Sequence, residues 1–445
     1  MKKPRTLFRL LPLPGLLALA LATPVHAQSL LDLYEAARGY DAAWQSAKAQ
    51  YDANLFHAEQ AKAQILPTVN ASAGLTRSHL DNTVPDFTLP ATTQSATVAA
   101  TQPIYRPANF ATYQQGKRQA DLAEAQLTSA SQDLIIRVAQ GYFDVLAAQD
   151  TLTFVRAQKT ATAEQLASAK RNFEVGTSTI TDTREAQARY DLVISQEIQA
   201  ENDLRVKKLA LDALVGRADV KPNPLAVTTL PPPQPANAEV WVLQSEESSP
   251  SILQARENVE IARLETEKAR AGNKPTLDLT ASYNITRNPN GTTSVPVSTR
   301  ANTGGVGLSF NMPLFAGFAI QNHVRETLSL EEKAQADLEN TRRTVAQATR
   351  TAYFGLVSGQ QQVKALESAE ASSQLALEAN QLGYQVGVRI NIDVLNAQSQ
   401  LYQTKRDLAQ ARYNVLLGEL KLRQANGTLQ PDDLVRLNTL VTQPK

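Results

Sequence analysis

The stretch Phe173-Glu-Val-Gly-Thr-Ser-Thr-Ile-Thr-Asp182 comes back later in the chain as Tyr384-Gln-Val-Gly-Val-Arg-Ile-Asn-Ile-Asp393. Working outward from this pair, other landmarks repeat at nearly the same offset: 208 residues from Pro67 to Pro275, 210 from Pro103 to Pro313, and 211 both from Gly176 to Gly387 and from Gly216 to Gly427. So constant an offset marks one structural unit duplicated along the chain, with insertions confined to loops. A single catalytic pocket needs no second copy, so the duplication points to a function based on quasi-symmetric repetition.

Each half runs in the same order: helix, Pro, strand, loop, strand, Pro, very long helix, Gly turn, helix. Helices are predicted near 29–64, 107–174 and 178–216, and again near 236–272, 316–385 and 391–425. Leu134, Val138, Val145, Leu152, Val155, Leu166, Ala169 and Phe173 recur at the spacing of a narrow coiled-coil seam. At about 1.5 Å per residue, a helix of roughly 68 residues is a rod near 100 Å long. The two shorter helices of each half sum to nearly that length, so end to end they form a second rod beside the first. Gly176 and Gly387 end helices in a left-handed turn, and Thr179 and Asn391 are candidates to cap the helices that follow. Asp182 and Asp393 then fall in first turns, where a carboxylate offsets the helix dipole.

Four segments alternate with period two. Leu277, Leu279, Ala281, Tyr283 and Ile285 point one way while Thr276, Asp278, Thr280, Ser282, Asn284 and Thr286 point the other. Val306, Leu308, Phe310 and Met312 alternate with Gly305, Gly307, Ser309 and Asn311, and Val69, Ala71, Ala73 and Leu75 with Thr68, Asn70, Ser72 and Thr76. The remaining strand, with Ala96, Val98 and Ala100, is interrupted by Ala99. Alternation alone also fits a soluble antiparallel sheet with one wet face. That sheet would need a covering layer, however, and the neighbouring helices are rods. Strands of about 9–11 residues with one apolar and one polar face suit a membrane barrel with a polar lumen. Pro67 and Pro275 open strands and Pro103 and Pro313 close them, so prolines mark the hinges between rod and strand. Four strands cannot close a barrel, and open edges are not tolerated in hydrocarbon, so the chain must oligomerise; 8, 12 or 16 strands are equally open at this point.

The domains expected are a signal peptide over 1–27, a first repeat over 28–220, a Pro-rich linker over 221–236, a second repeat over 237–427 and a tail over 428–445 with no readable periodicity. The signal rests on Lys2, Lys3, Arg5 and Arg9, an apolar stretch from Leu10 to Ala22, and Val25-His26-Ala27 before a cleavage point. No later window offers the roughly 18 apolar residues of a membrane-spanning helix. Cysteine is absent, which excludes disulfides, thiol chemistry and Cys-ligated metal. A net charge of +1 with no basic cluster gives no footprint for nucleic acid. The four histidines lack metal-ligand spacing, and Gly304-Gly305-Val306-Gly307 has no following Lys-Ser/Thr and sits in a strand pattern. With no nucleophile elbow and no helical metalloprotease motif, neither enzyme activity nor a cofactor is expected.

The stretches Tyr384 to Leu395, Leu408-Ala-Gln-Ala-Arg412-Tyr-Asn and Phe173 to Asp182 resemble the TolC-like outer-membrane channels of Gram-negative export systems, and the similarity covers essentially the whole chain after the signal. The resemblance implies an α+β membrane protein in which a long coiled-coil helical barrel continues into a transmembrane β-barrel, four strands per protomer and twelve in a homotrimer. It implies an exit duct embedded in outer-membrane lipid and reaching into the periplasm, docked through a periplasmic adaptor to an inner-membrane ABC or proton-driven transporter. It also implies a periplasmic gate in which Asp182 and Thr181 face Tyr384 and Arg389, and in which Arg412 ties an inner helix to its neighbour. Asp393 would form the upper of two acidic rings at the constriction; at the second ring Asn396 stands where the family pattern has an aspartate, which bears on cation selectivity. The competing reading is a periplasmic adaptor or scaffold with long hairpins, which should lack four proline-bracketed strands. The exported cargo is not legible, because a polar duct has no fitted pocket.

Overall fold

The computed structural model describes residues 28–441 apart from 84–85, 225–231, 293–294 and 296. The segment read as a signal peptide and the middle of the Pro-rich linker lie outside the described residues. Helices α1 (Leu30–Tyr40) and α2 (Ala42–Ala63) lead into strands β1 (Thr68–Thr83) and β2 (Asp86–Tyr105), then α3 (Pro107–Glu174) and α4 (Ile180–Val215). The second half repeats this order with α5 (Ala238–Ser248), α6 (Pro250–Ala271), β3 (Thr276–Asn288), β4 (Thr299–Asn311), α7 (Ala319–Gln385) and α8 (Asn391–Ala425), followed by α9 (Pro431–Val441).

The rods form as their periodicity requires. Helix α3 spans 68 residues and α7 spans 67, so each is about 100 Å long. Helix α2 lies along the first part of α3, where Gly116 lets Ala58 and Ala61 approach closely, and α4 lies along the last part, where Gly141 meets Leu211. Helices α6 and α8 flank α7 in the same way.

Two predicted helices are each divided in two. The first breaks at Asp41, whose carboxylate accepts the Trp44 N–H at 2.8 Å as cap of α2 and is gripped by both terminal nitrogens of Arg137 at 2.8 and 2.9 Å. Hydrogen bonding from Arg137 holds this carboxyl below its ordinary range. The second breaks at Ser249, which Pro250 disfavours for helix. The unreadable tail contains α9, whose Leu434 and Leu437 are buried in the largest apolar cluster. That cluster sits midway along the rods, joining α1, the middle of α3 and the ends of α4 and α8 through Tyr142, Phe143, Leu416 and Leu420. The linker also begins inside this girdle: Pro222 is buried, and the Tyr142 hydroxyl donates to the Asn223 carbonyl at 3.0 Å.

The four strands form one antiparallel meander in chain order. They run 13 to 20 residues, longer than the 9–11 needed to cross hydrocarbon. Registers align the predicted faces across the sheet. One row sets Val69 against Ala100, Ala281 and Val306, and the next sets Ala71 against Val98 and Tyr283. On the opposite face Asn70 aligns with Ala99, Ser282 and Gly305, so Ala99 is a small residue on the polar face and the alternation of β2 continues through it. Thr97 and Thr93 donate to Asn284 and Asn288 across that face, each at 2.9 Å. The apolar face is open: Val306, Leu308 and Phe310 are 77%, 70% and 68% exposed. No helix among the described residues is long and apolar enough to cross a membrane.

Sheet and rods are fastened together at the prolines. The Arg106 guanidinium, between β2 and α3, forks onto Asp278 of β3 with bonds of 2.7 and 2.5 Å. Gln102 of β2 reaches the Ile65 carbonyl and Asn109 of α3 the Gln64 carbonyl, tying the end of α2 to both the sheet and the start of α3. The register of β2 against β3 shifts between Pro103 and Tyr105, where proline supplies no ladder donor.

Glycines in left-handed turns separate two kinds of constraint. Gly176 and Gly427 have φ of 81° and 82°, but a Cβ on Gly176 meets open space, whereas one on Gly427 collides with the Ser248 carbonyl. Gly176→Ala should therefore cost only the left-handed backbone term, about 1–2 kcal/mol, and Gly427→Ala distinctly more. Thermal unfolding followed by circular dichroism checks this; equal shifts in the two variants would show that the Ser248 contact imposes nothing.

Candidate functional site

The two Gly turns lie at the end of the rods remote from the sheet, since each joins the last turn of a long helix to its hairpin partner. Their backbones are the same. The Gly176 N–H donates to the Phe173 carbonyl at 3.0 Å and the Thr177 N–H to Asn172 at 2.8 Å; Gly387 donates to Tyr384 at 3.2 Å and Val388 to Gly383 at 2.9 Å. This double reversal closes the helix end and requires the left-handed glycine.

Beyond the glycine the copies diverge. In the first, the Thr179 hydroxyl accepts the Asp182 N–H at 3.2 Å, while the Asp182 carboxylate accepts the Thr179 N–H at 3.0 Å and the hydroxyls of Thr179 and Ser178 at 2.8 Å each. Burial works against its charge, but these donors outweigh it and hold Asp182 below the usual carboxylate range. In the second copy the cap position is Ile390, which has no side-chain oxygen. Asp393, the counterpart of Asp182, is thereby free of capping and turns to Arg389, 3.7 Å away. One motif thus yields a structural carboxylate in the first repeat and an available one in the second.

Asn391 corrects a sequence expectation. It does not cap α8 but is its first residue and is fully buried. Its side chain accepts from Gln165 of α3 at 2.5 Å and donates to the Asp182 carbonyl of α4 at 3.2 Å, linking the two hairpins of one chain. Leu166, Ala169, Ala186 and Leu395 pack directly above this link. A cap candidate and an inter-hairpin tie look alike in sequence, because the partners lie more than two hundred residues away.

The other predicted site residues are distributed as follows. Tyr384 accepts a hydrogen bond from Asn172 at 3.2 Å, joining the last turns of α7 and α3. Thr181 is exposed on the first turn of α4. Within one chain, among the described residues, Asp182 and Arg389 do not meet, since each is engaged within its own repeat. Arg412 reaches Glu367 on α7 at 3.0 Å. Asn396 accepts from Arg189 of α4 at 2.7 Å, a partner that sequence reasoning missed. Around the turns Val175, Leu382, Val386, Val388 and Ile390 are all more than half exposed, so the tip presents an apolar collar. Among the described residues no group of His, Asp and Glu could hold a metal ion.

A family model described as "Outer membrane efflux protein" matches residues 33–217 and, separately, 241–428. The chain is 32% identical over 438 residues to the outer membrane protein TolC of Vibrio cholerae, covering 97% of this chain and 98% of that protein. It is 33% identical over 425 residues to the proteases secretion protein PrtF of Dickeya chrysanthemi, covering 92% and 90%. Among solved structures, the outer membrane protein VceC of Vibrio cholerae superposes with a TM-score of 0.78 at 18% identity, covering 89% of this chain and 96% of that one. The open-state MtrE channel of Neisseria gonorrhoeae superposes with a TM-score of 0.75 at 17% identity, covering 90% of each. At such identities the two structures speak for the fold.

The tie at Asn391 can be told apart from the cap at Thr179. Losing a cap costs about 1 kcal/mol and leaving buried partners unsatisfied about 1–3 kcal/mol. In hydrogen–deuterium exchange, Asn391→Ala should speed exchange in the first turns of both α4 and α8, and Thr179→Ala only in α4. Effects confined to α8 in Asn391→Ala would mean that it does not join the hairpins.

Proposed function

The chain belongs to the outer membrane efflux protein family, and we propose that it works as a homotrimeric, non-catalytic exit duct whose periplasmic tips form the gate. It is an outer-membrane protein reaching into the periplasm, and it serves as an exit duct for efflux or type I secretion. The observation that carries the assembly is the sheet: four strands, one face apolar and exposed, the other polar, with β1 and β4 left as open edges. In hydrocarbon each edge must find a partner, and β4 of one copy against β1 of the next closes a barrel with polar residues inside. Three copies give twelve strands and gather the rods into one tunnel. The family match, repeated over both halves, favours this over an adaptor or scaffold. For the organisation of the chain we adopt a signal over 1–27, repeats over 28–220 and 237–427 around the linker 221–236, and the tail 428–445.

At the tips, Asp393 and Asn396 would line the constriction, with Thr181, Asp182, Tyr384, Arg389 and Arg412 forming the gate. Because Asp182 and Arg389 do not meet within one chain, links between them would form across chains, where the turn between α7 and α8 of one copy meets the next copy's α4. The apolar collar is the seat for a periplasmic adaptor, which couples the duct to an inner-membrane transporter. A half-buried ion pair such as Arg412–Glu367 is worth on the order of 1 kcal/mol, and three copies multiply its effect on the closed state.

Native mass spectrometry in mild detergent should give three chains; a monomer would sink the assembly. In planar bilayers Arg412→Ser should raise single-channel conductance severalfold. Block by a trivalent cation should be largely lost in Asp393→Asn, since a narrow throat focuses the field of its carboxylates. Unchanged block would return Asp393 to the role of an ordinary first-turn carboxylate.

A further inference from the structure

A groove of about 400 Å³ runs between α4 and α8, floored by Gln158 and Thr162 of α3. Arg189 and Arg406 both line it, and its walls are otherwise amides, hydroxyls and aliphatic side chains with no carboxylate. Arg189 donates to Asn396 at 2.7 Å and Arg406 to Gln403 at 2.7 Å; neither guanidinium forms an ion pair among the described residues. Arg106, Arg137, Arg156, Arg350 and Arg412 are by contrast matched to carboxylates, so the charges of Arg189 and Arg406 stand uncompensated by a direct partner. The floor of the groove is polar: Gln158 is 4% exposed, and its side-chain oxygen finds no hydrogen-bond partner among the described residues.

We propose that Arg189 is a specificity-determining residue of the duct, which turns the Asn396 level of the constriction into a basic ring. This rests on the reading that Asp393 and Asn396 line the throat. Asn396 follows Asp393 by one helical turn on α8, so the two levels lie about 4.5 Å apart along the helix axis. That is less than the Debye length of about 8–10 Å at ordinary salt, and a passing ion therefore feels both rings together. Arg389 already balances part of the Asp393 charge. Adding Arg189, which has no carboxylate of its own, leaves the throat near neutral or basic instead of strongly acidic. The class of solute this favours is anionic: small anions and cargo bearing carboxylates pass without the repulsion that a purely acidic constriction would impose. Glutamine at 189 would keep a donor for Asn396 while removing the charge, and lysine would keep the charge.

The test is the reversal potential of the full assembly in planar bilayers under a KCl gradient, for wild type, Arg189→Gln, Arg189→Lys and Asp393→Asn. Arg189→Gln should raise the potassium-to-chloride permeability ratio about threefold or more, Arg189→Lys should stay near wild type, and Asp393→Asn should shift the ratio the other way. If Asp393→Asn shifts the potential but Arg189→Gln does not, the throat is where we place it and the role given to Arg189 is wrong. If neither variant shifts it, the placement of the throat itself fails. Equal shifts in Arg189→Gln and Arg189→Lys would assign the effect to packing around Asn396 and overturn the charge argument.

Discussion

The backbone hydrogen bonds left open along β1 and β4 constrain everything else in this molecule. In water an exposed edge is a liability that charge or a bulge can blunt, but in hydrocarbon each unsatisfied amide costs several kcal/mol and no solvent is available to relieve it. The chain presents an apolar face that belongs in lipid, with Val306, Leu308 and Phe310 standing outward. In the assembly proposed above, its edges are covered by other copies. The helical rods continue directly from the strands through Pro-marked junctions, so closing the barrel also fixes the rods around a common axis. Arg106, forked onto Asp278, transmits that geometry rigidly from sheet to helix.

Duplication simplifies the construction, since each half supplies one hairpin of sheet and one hairpin of rods. The girdle midway along the rods is what makes the halves unequal. There α1, α9 and the start of the linker all pack against α3 and α8 in the largest apolar cluster. Elsewhere the helices join through smaller clusters, one around Trp241, Tyr353, Leu356 and Leu422 and two nearer the Gly turns around Leu395 and Leu401.

At the tips the divergence of two copies of one motif matters more than their likeness. Replacing Thr179 by its counterpart Ile390 removes a capping oxygen and frees Asp393, while Asp182 stays locked in its capping box. Asn391 replaces Ile180 and gains a tie between hairpins. Two substitutions within a single turn separate a carboxylate locked in a capping box from one paired with Arg389.

Much of this was legible in the sequence, for a physical reason. Helical and strand periodicity, left-handed glycines and donorless prolines act through neighbours a few residues away, so rods, strands, hinges and turns follow from local pattern. The breaks at Asp41 and Ser249 were locally encoded too, but brief enough to be lost within a longer helical pattern. Helix α9 stayed hidden because its two buried leucines acquire meaning only from the girdle they cover. The pairings of Asn391 with Gln165, Arg189 with Asn396, and Arg412 with Glu367 were decided by tertiary structure alone. Each depends on how one helix is rotated against another, and an angle set by packing along a seam leaves no mark on the residues at its ends.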